Sequence, residues 1–344
     1  MMYANAVAIL SSVFKTGTRG GALGVYVTAV YAGILAGSFL GGILTGLIGW
    51  RSIFLFVIPI GFFLLLLIVW KFPQEWRDAK KDKLDSIGSL IYLTSIISIM
   101  YGISFISNYL SILWVILGLT GLIIFIWWEL RFETPILNLN LFRNKIFTVS
   151  TVTILILQIS TSSMWFLLSF YLQSIKLIPA NITGLILVIQ PLTVVLFSVY
   201  TGVLSDKIKI NIVPTVGLLL STLGIIIFAN LDEKTPIEFL ILGLLFLGAG
   251  VALFSSPTTN ATMGSVSKKY YGMASATVSN MVFTGQLLSM GIVIMIFSIS
   301  IGTSTLSAVD NQSFLNCMKT IFSIYTLISV AGIILTLAIL KKKN

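Results

Sequence analysis

The sequence predicts an all-helical protein threaded repeatedly through a membrane, and three features carry that prediction. Composition is the first: 57% of the 344 residues are hydrophobic and 9% charged, against roughly 25% charged in soluble domains. Segmentation is the second, because long apolar runs alternate with short polar breaks along the whole chain. The third is the placement of the 21 Lys and Arg residues. Seventeen fall in alternate breaks: Lys15 and Arg19; Lys71, Arg77, Lys80, Lys81 and Lys83; Arg131, Arg143 and Lys145; Lys207 and Lys209; Lys268 and Lys269; Lys341, Lys342 and Lys343. The breaks between them hold only Arg51, Lys176, Lys234 and Lys319. Such alternation is what the positive-inside bias produces, and one wrong or missing span would scramble it. A multi-pass cell-membrane protein with a cytoplasmic C-terminus is expected.

Taken in order, the spans read as 1–14, 22–46, 52–70, 86–106, 109–130, 147–173, 181–204, 211–230, 237–257, 271–299 and 320–340. About 20 residues are needed to cross about 30 Å of hydrocarbon. Ten of these runs reach that length or come within a turn of it. Residues 1–14 do not, although charge parity requires them to run toward Lys15 and Arg19. No basic region precedes them, so they are not a signal peptide. The expectation is about ten full transmembrane helices plus an N-terminal half helix whose start is missing. The longest charged stretch, 71–85, reads as a solvated linker, and 129–147 as a second connector. They divide the chain into an N-terminal remnant (1–75), a linker with a helix hairpin (76–130) and a six-helix bundle (131–344).

Several function classes are excluded. The net charge of +10 sits in the basic loops, where it sets topology and meets anionic lipid headgroups. The bilayer, and not nucleic acid, is the expected partner. One cysteine, Cys317, and no histidine remove an internal disulfide, a multi-cysteine metal site and the commonest general base. No HExxH, GxSxG or paired intramembrane Asp is present. No enzyme activity, cofactor or metal is expected.

The strongest local signal is in the second span: Gly24, Gly33, Gly37, Ser38, Gly41 and Gly42. Gly33, Gly37 and Gly41 stack on one face, with Gly24 and Gly42 close to it. Small residues spaced by four let helix backbones approach closely in lipid. Together with GWRSIF at 49–54, this pattern resembles the antiporter motif of major facilitator superfamily drug:proton antiporters. The resemblance continues in ETPILNLNLFRNKIF (133–147), SFYLQSIKLIPANITGLILVIQP (169–191) and SSPTTNATMGSVSKKYYGMASATVSNMVFTGQ (255–286). GVLSDKIK (202–209) is similar to the superfamily's loop motif, matching at Gly202, Asp206 and Lys207. The central hairpin is what marks the fourteen-span branch.

That resemblance implies the major facilitator fold lacking its first three and a half helices. It also implies efflux of amphiphilic or cationic small molecules in exchange for protons. There are departures from the pattern. Ser38 stands where the family has proline, and serine does not break a helix ladder. Lys209, Ile210 and Asn211 replace the glycine and basic pair of the loop motif, and Val282 replaces a frequent arginine. No Asp, Glu, Lys or Arg lies well inside the ten complete spans; Glu129 sits at a helix end and Asp206 in a loop. A proton-driven carrier needs a titratable group in its path. The 344-residue form is therefore expected to be inert in proton-coupled efflux. A non-transporting remnant and a partner subunit completed by a separate piece are the alternatives.

Neutral polar groups supply the candidate cavity. Gln158, Ser162, Trp165 and Ser169 recur on one face of their span, as do Ser275, Ser279, Gln286 and Ser289 on theirs. Such stripes either hydrogen-bond helix to helix or line a cavity for amphiphilic molecules. Tyr171, Gln190 and Phe283 complete the candidate set, and Pro191 is expected to bend its helix. Asp206 is expected to accept hydrogen bonds at a neighbouring helix N-terminus, with Lys207 near lipid phosphate or a loop acid.

Overall fold

A computed structural model describes residues 2–71, 85–105, 109–132, 137, 139–208, 212–301 and 310–341. Among them ten helices are long and apolar enough to cross a membrane. Backbone groups in hydrocarbon must be satisfied within the segment, and these β-branched and aromatic runs accordingly close into helices. The elements are α1 (Met2–Val13), α2 (Arg19–Ile48), α3 (Arg51–Lys71), α4 (Ser86–Ser104), α5 (Tyr109–Glu129), α6 (Lys145–Thr161), α7 (Met164–Phe170), α8 (Ala180–Leu187), α9 (Ile189–Lys207), α10 (Ile212–Ala229), α11 (Ile237–Gly264), α12 (Tyr271–Ile301) and α13 (Asn311–Lys341). The fold is that of an all-α, polytopic membrane protein.

Several helices differ from their sequence expectation. The run 147–173 is not one continuous helix. It breaks at Ser162–Ser163 between α6 and α7 and ends in a π-helical turn, Tyr171–Ile175. Ser160, Thr161, Ser162 and Ser163 crowd this break, and hydroxyls beside the backbone compete with the helix ladder. The Ser163 N–H turns away to the Ser289 hydroxyl, 3.1 Å distant. Near Pro191 the helix is interrupted at Val188 alone, between α8 and α9, three residues before a proline that cannot donate. The final helix starts at Asn311, nine residues ahead of the expected 320. Asp310 precedes it and accepts from the Ser313 N–H at 3.2 Å, and these hydrogen bonds lower its carboxyl pKa.

Helices α6 and α9 to α13 form the best-buried part, with α10 packed on α11 and on α13, and α6 on α12 and α13. Phe228, Phe254, Phe322, Tyr171 and Tyr325 are fully buried there. Contact between α10 and α11 is backbone to backbone. A Cβ built on Gly217 would lie 2.7 Å from the Gly250 carbonyl oxygen, and one on Gly224 at 2.7 Å from that of Gly243. The α4–α5 hairpin is sewn by Gly102 and Gly118, whose added Cβ atoms would meet the Ser111 and Ser95 carbonyls at 2.7 and 2.6 Å. It docks on α12, where the Tyr92 and Thr284 hydroxyls lie 3.0 Å apart. Helix α1 also packs on α12, and α2 on α9 and α11. By contrast α3 is almost entirely exposed, an apolar surface suited to lipid.

Candidate functional site: a polar closure and a mid-depth cavity

Helix direction gathers Arg19, Arg143, Lys145, Lys207, Lys268 and Lys269 at one end of the molecule, where the loop charges alternate as the sequence requires. A closure is built at this end from α2, α9, α11 and α12. Asp206 lies in the last turn of α9 and not in a loop. A carboxylate there faces the unfavourable pole of its own helix dipole, and the start of α2 relieves it. The Gly20 N–H donates to Asp206 Oδ1 at 3.0 Å and the Gly21 N–H to Oδ2 at 3.1 Å. Both N–H groups belong to the first turn, which has no intrahelical acceptors.

Glycine makes this approach possible. An added Cβ on Gly24 would lie 2.6 Å from the Ser198 carbonyl oxygen, and one on Gly202 would collide with the Gly20 carbonyl oxygen. Asn260 of α11 joins the two sides by donating to Asp206 Oδ1 and to the Ser205 hydroxyl, both at 3.1 Å. Arg19, only 3% exposed, donates to the Asn260 side-chain and main-chain oxygens at 2.8 and 2.9 Å. Room for its guanidinium exists because Gly264 carries no Cβ. Ser256 adds a hydrogen bond to the Gly20 carbonyl at 3.1 Å.

Of the glycine-motif residues whose surroundings are described, only Gly24 enters this seam. Gly33 and Gly37 face open space and Gly41 touches only Ile53. Ser38 returns its hydroxyl to the Ile34 carbonyl at 2.9 Å. Gly42 belongs to α2, but its surroundings lie outside the described residues. Lys207 is exposed beside the closure. Sequence reading missed Arg19, Gly20, Gly21, Ser256 and Asn260. The available signal was Asn260 inside an apolar helix, three residues beyond Pro257.

Above the closure lies a cavity of 410 Å³. Tyr31, twelve residues into α2, and Gln158, thirteen into α6, place it about 18–20 Å from the basic end at 1.5 Å rise. Gln158, Ser162, Trp165, Gln190 and Gln286 all line it, so three amides, a hydroxyl and an indole come together from α6, α7, α9 and α12. No charged residue is among those lining it that the structure describes. The other three candidates stand outside the wall. Tyr171, 1% exposed, sends its hydroxyl to the Asp232 carbonyl at 2.8 Å. Ser279 bonds back to the Ser275 carbonyl at 3.0 Å, and Phe283 is 51% exposed. A smaller cavity of 70 Å³ continues toward the closure and shares Tyr31 and Gln158 with the larger one.

At the wall, where Ser163 also lines the cavity, a hydroxyl knot fixes the α6–α7 break. Ser163 lies 2.7 Å from the Tyr325 hydroxyl and Ser289 3.0 Å from that of Ser163, while Tyr325 donates to the Ser289 carbonyl at 2.8 Å.

The family model described as Major Facilitator Superfamily matches residues 1–150. The all-helical, polytopic fold is consistent with that of the major facilitator superfamily. Relatives agree. The riboflavin transporter RibZ of Clostridioides difficile is 30% identical over 289 residues, covering 82% of this chain and 62% of the relative. Multidrug resistance protein Stp of Mycobacterium tuberculosis is 26% identical, covering 80% of this chain and 52% of the relative. Multidrug resistance protein 3 of Bacillus subtilis is 22% identical, covering 92% and 60%. The chain thus spans between about half and three-fifths of the length of these relatives. The first is named as a transporter and the other two as multidrug resistance proteins.

Proposed function

We propose that this protein carries amphiphilic organic solutes across the cell membrane by alternating access, as a member of the fourteen-span drug:proton antiporter branch. The observation that carries the reading is the pairing of a 410 Å³ cavity at mid-depth with a closure at the basic end. Carriers of this kind rock one bundle against another around a midplane site. Residues 1–75 belong to one bundle, 131–344 to the other and 76–130 to the hairpin between them. The basic end is the cytoplasmic end by charge parity, so the conformation is closed to the cytoplasm. Asp206, bridging α9 to the start of α2, latches that state; Lys207 meets lipid phosphate outside it. Riboflavin, in the name of one relative, and drugs, in those of others, are the cargo classes to consider.

Export in exchange for protons is the first reading of the energy source. The uncharged wall favours a second, passage of a neutral solute without proton exchange, since coupling requires a group that titrates in the path. The test is dye and riboflavin flux in cells and everted vesicles, with and without an uncoupler, at matched expression. Uncoupler-sensitive dye export supports exchange, and uncoupler-insensitive flux supports the second reading. Folded protein at the membrane with no flux of any solute would overturn the carrier reading.

A further inference from the structure

Two basic stretches far apart in the sequence are held side by side at the basic end of the molecule. Asn144, between Arg143 and Lys145, donates through its Nδ2 to the Ser265 carbonyl at 2.8 Å, across 121 residues of sequence. Shortly after Ser265 come Lys268 and Lys269, in a one-turn helix that leads into α12. Apolar side chains seat the two stretches on each other. Leu141, Phe142 and Phe147 from one side share a buried cluster with Val266, Tyr270 and Met273 from the other. Arg19 holds the second stretch from inside, donating to the Tyr271 hydroxyl at 3.4 Å and filling the space that Gly264 leaves. The backbone beneath the basic residues is therefore fixed by packing, without help from their own charges.

Those charges have no counterpart in the chain. Arg143, Lys145, Lys268 and Lys269 are all exposed, and none forms an ion pair with a carboxylate among the described residues. The described carboxylates of this end are engaged elsewhere. Asp206 accepts from Gly20, Gly21 and Asn260, Asp85 from the Gly88 N–H and the Trp128 indole, and Glu129 from the Leu137 N–H. Four like charges gathered on one patch repel one another. Helices α6 and α12 both begin here and add the positive ends of their dipoles. An external anion is the complement, and phosphate fits best: the arginine fork meets it bidentately, and lysine meets it as a point charge.

Position selects the source of that phosphate. The patch stands at the ends of two membrane-spanning helices, α6 and α12, on the side that charge parity makes cytoplasmic. Basic pockets between helices on that side suit anionic headgroups. Half-buried Tyr270, its ring centre 5.8 Å from Lys269 Nζ, sets an amphipathic ring of the interfacial kind at the same level. We propose that Arg143, Lys145, Lys268 and Lys269 form a binding site for the phosphate headgroup of an anionic phospholipid in the cytoplasmic leaflet. The site lies apart from the cavity and operates whether or not the cavity carries a solute.

The test is native mass spectrometry of the purified 344-residue chain in mild detergent, with phosphatidylglycerol or phosphatidylcholine of identical acyl chains added in turn. Phosphatidylglycerol is expected to bind roughly ten-fold or more tightly, since each basic residue at an anionic surface contributes about a five-fold gain. Arg143→Gln with Lys145→Gln, and separately Lys268→Gln with Lys269→Gln, should each lower that preference roughly five-fold or more. Lys71→Gln with Arg131→Gln, cations of the same end outside the patch, should leave it unchanged. Inorganic phosphate should not displace the lipid; displacement at equal concentration would assign the site to a soluble anion and overturn the lipid assignment. Equal binding of the two lipids by the unaltered chain, or the same loss in the control as in the patch variants, also overturns the proposal. Should neither patch variant fold, the comparison of the two lipids and of phosphate on the unaltered chain decides.

Discussion

Replacing Asp206 by Asn removes one charge and one of the three hydrogen bonds that its two oxygens accept from Gly20, Gly21 and Asn260 at 3.0–3.1 Å. Asparagine keeps an acceptor for one side but sets an NH₂ group against the donor on the other. A hydrogen bond to a charged group is worth about 1.5–3 kcal/mol, and a carboxylate at a helix N-terminus about 0.3–1, up to ~2 when partly buried. These overlap, so the combined loss is about 2–3 kcal/mol. If that loss falls on the closed state alone, the closed-to-open ratio drops roughly 30- to 150-fold. Spin labels at positions 25 and 200, on the exposed faces of α2 and α9, report the opening by pulsed electron resonance. A Cys317→Ser background removes the native thiol, which is buried. The expected result is a second, longer distance population in Asp206→Asn. Identical distributions in the two proteins would show that the bridge does not hold the closure.

The other expected outcomes are as follows. Gly24→Leu should force α2 from α9, whose carbonyl at Ser198 a bare Cβ would already approach to 2.6 Å, and lower the folded yield in detergent. Gly37→Leu, facing open space, should leave that yield unchanged; the reverse order would refute the assignment of the seam. Tyr325→Phe should cost about 0.5–2 kcal/mol by unmaking bonds to Ser163 and Ser289, read as a lower thermal midpoint, and an unaltered midpoint would count against the knot. With Cys317→Ser, an impermeant thiol reagent on intact cells should label a cysteine at 312 but not one at 145. Labelling at 145 would invert the orientation.

Periodicity of charge and apolar length determined the membrane class, the order of the spans and most of their bounds. Both quantities are properties of the chain's transfer into lipid, which acts on each segment separately. Local chemistry likewise announced an interruption of the helix before Pro191, because a missing N–H is a property of one residue. The helix break at Ser162–Ser163 was hidden, since a backbone N–H leaves the ladder only when a neighbour such as the Ser289 hydroxyl offers it another acceptor.

Partners at a distance were left to the tertiary structure. Asp206 could be expected at some helix N-terminus, but only packing chose Gly20 and Gly21 and brought Asn260 and Arg19 between them. Gly24 and Gly37 look alike in the motif, yet the former meets a backbone and the latter open space. The two polar stripes resolved in the same way. Gln158, Ser162 and Gln286 reached a cavity wall, whereas Ser279 did not. A stripe fixes which face of a helix is polar; what stands opposite that face depends on the neighbouring helix, whose position is set by the whole of the packing.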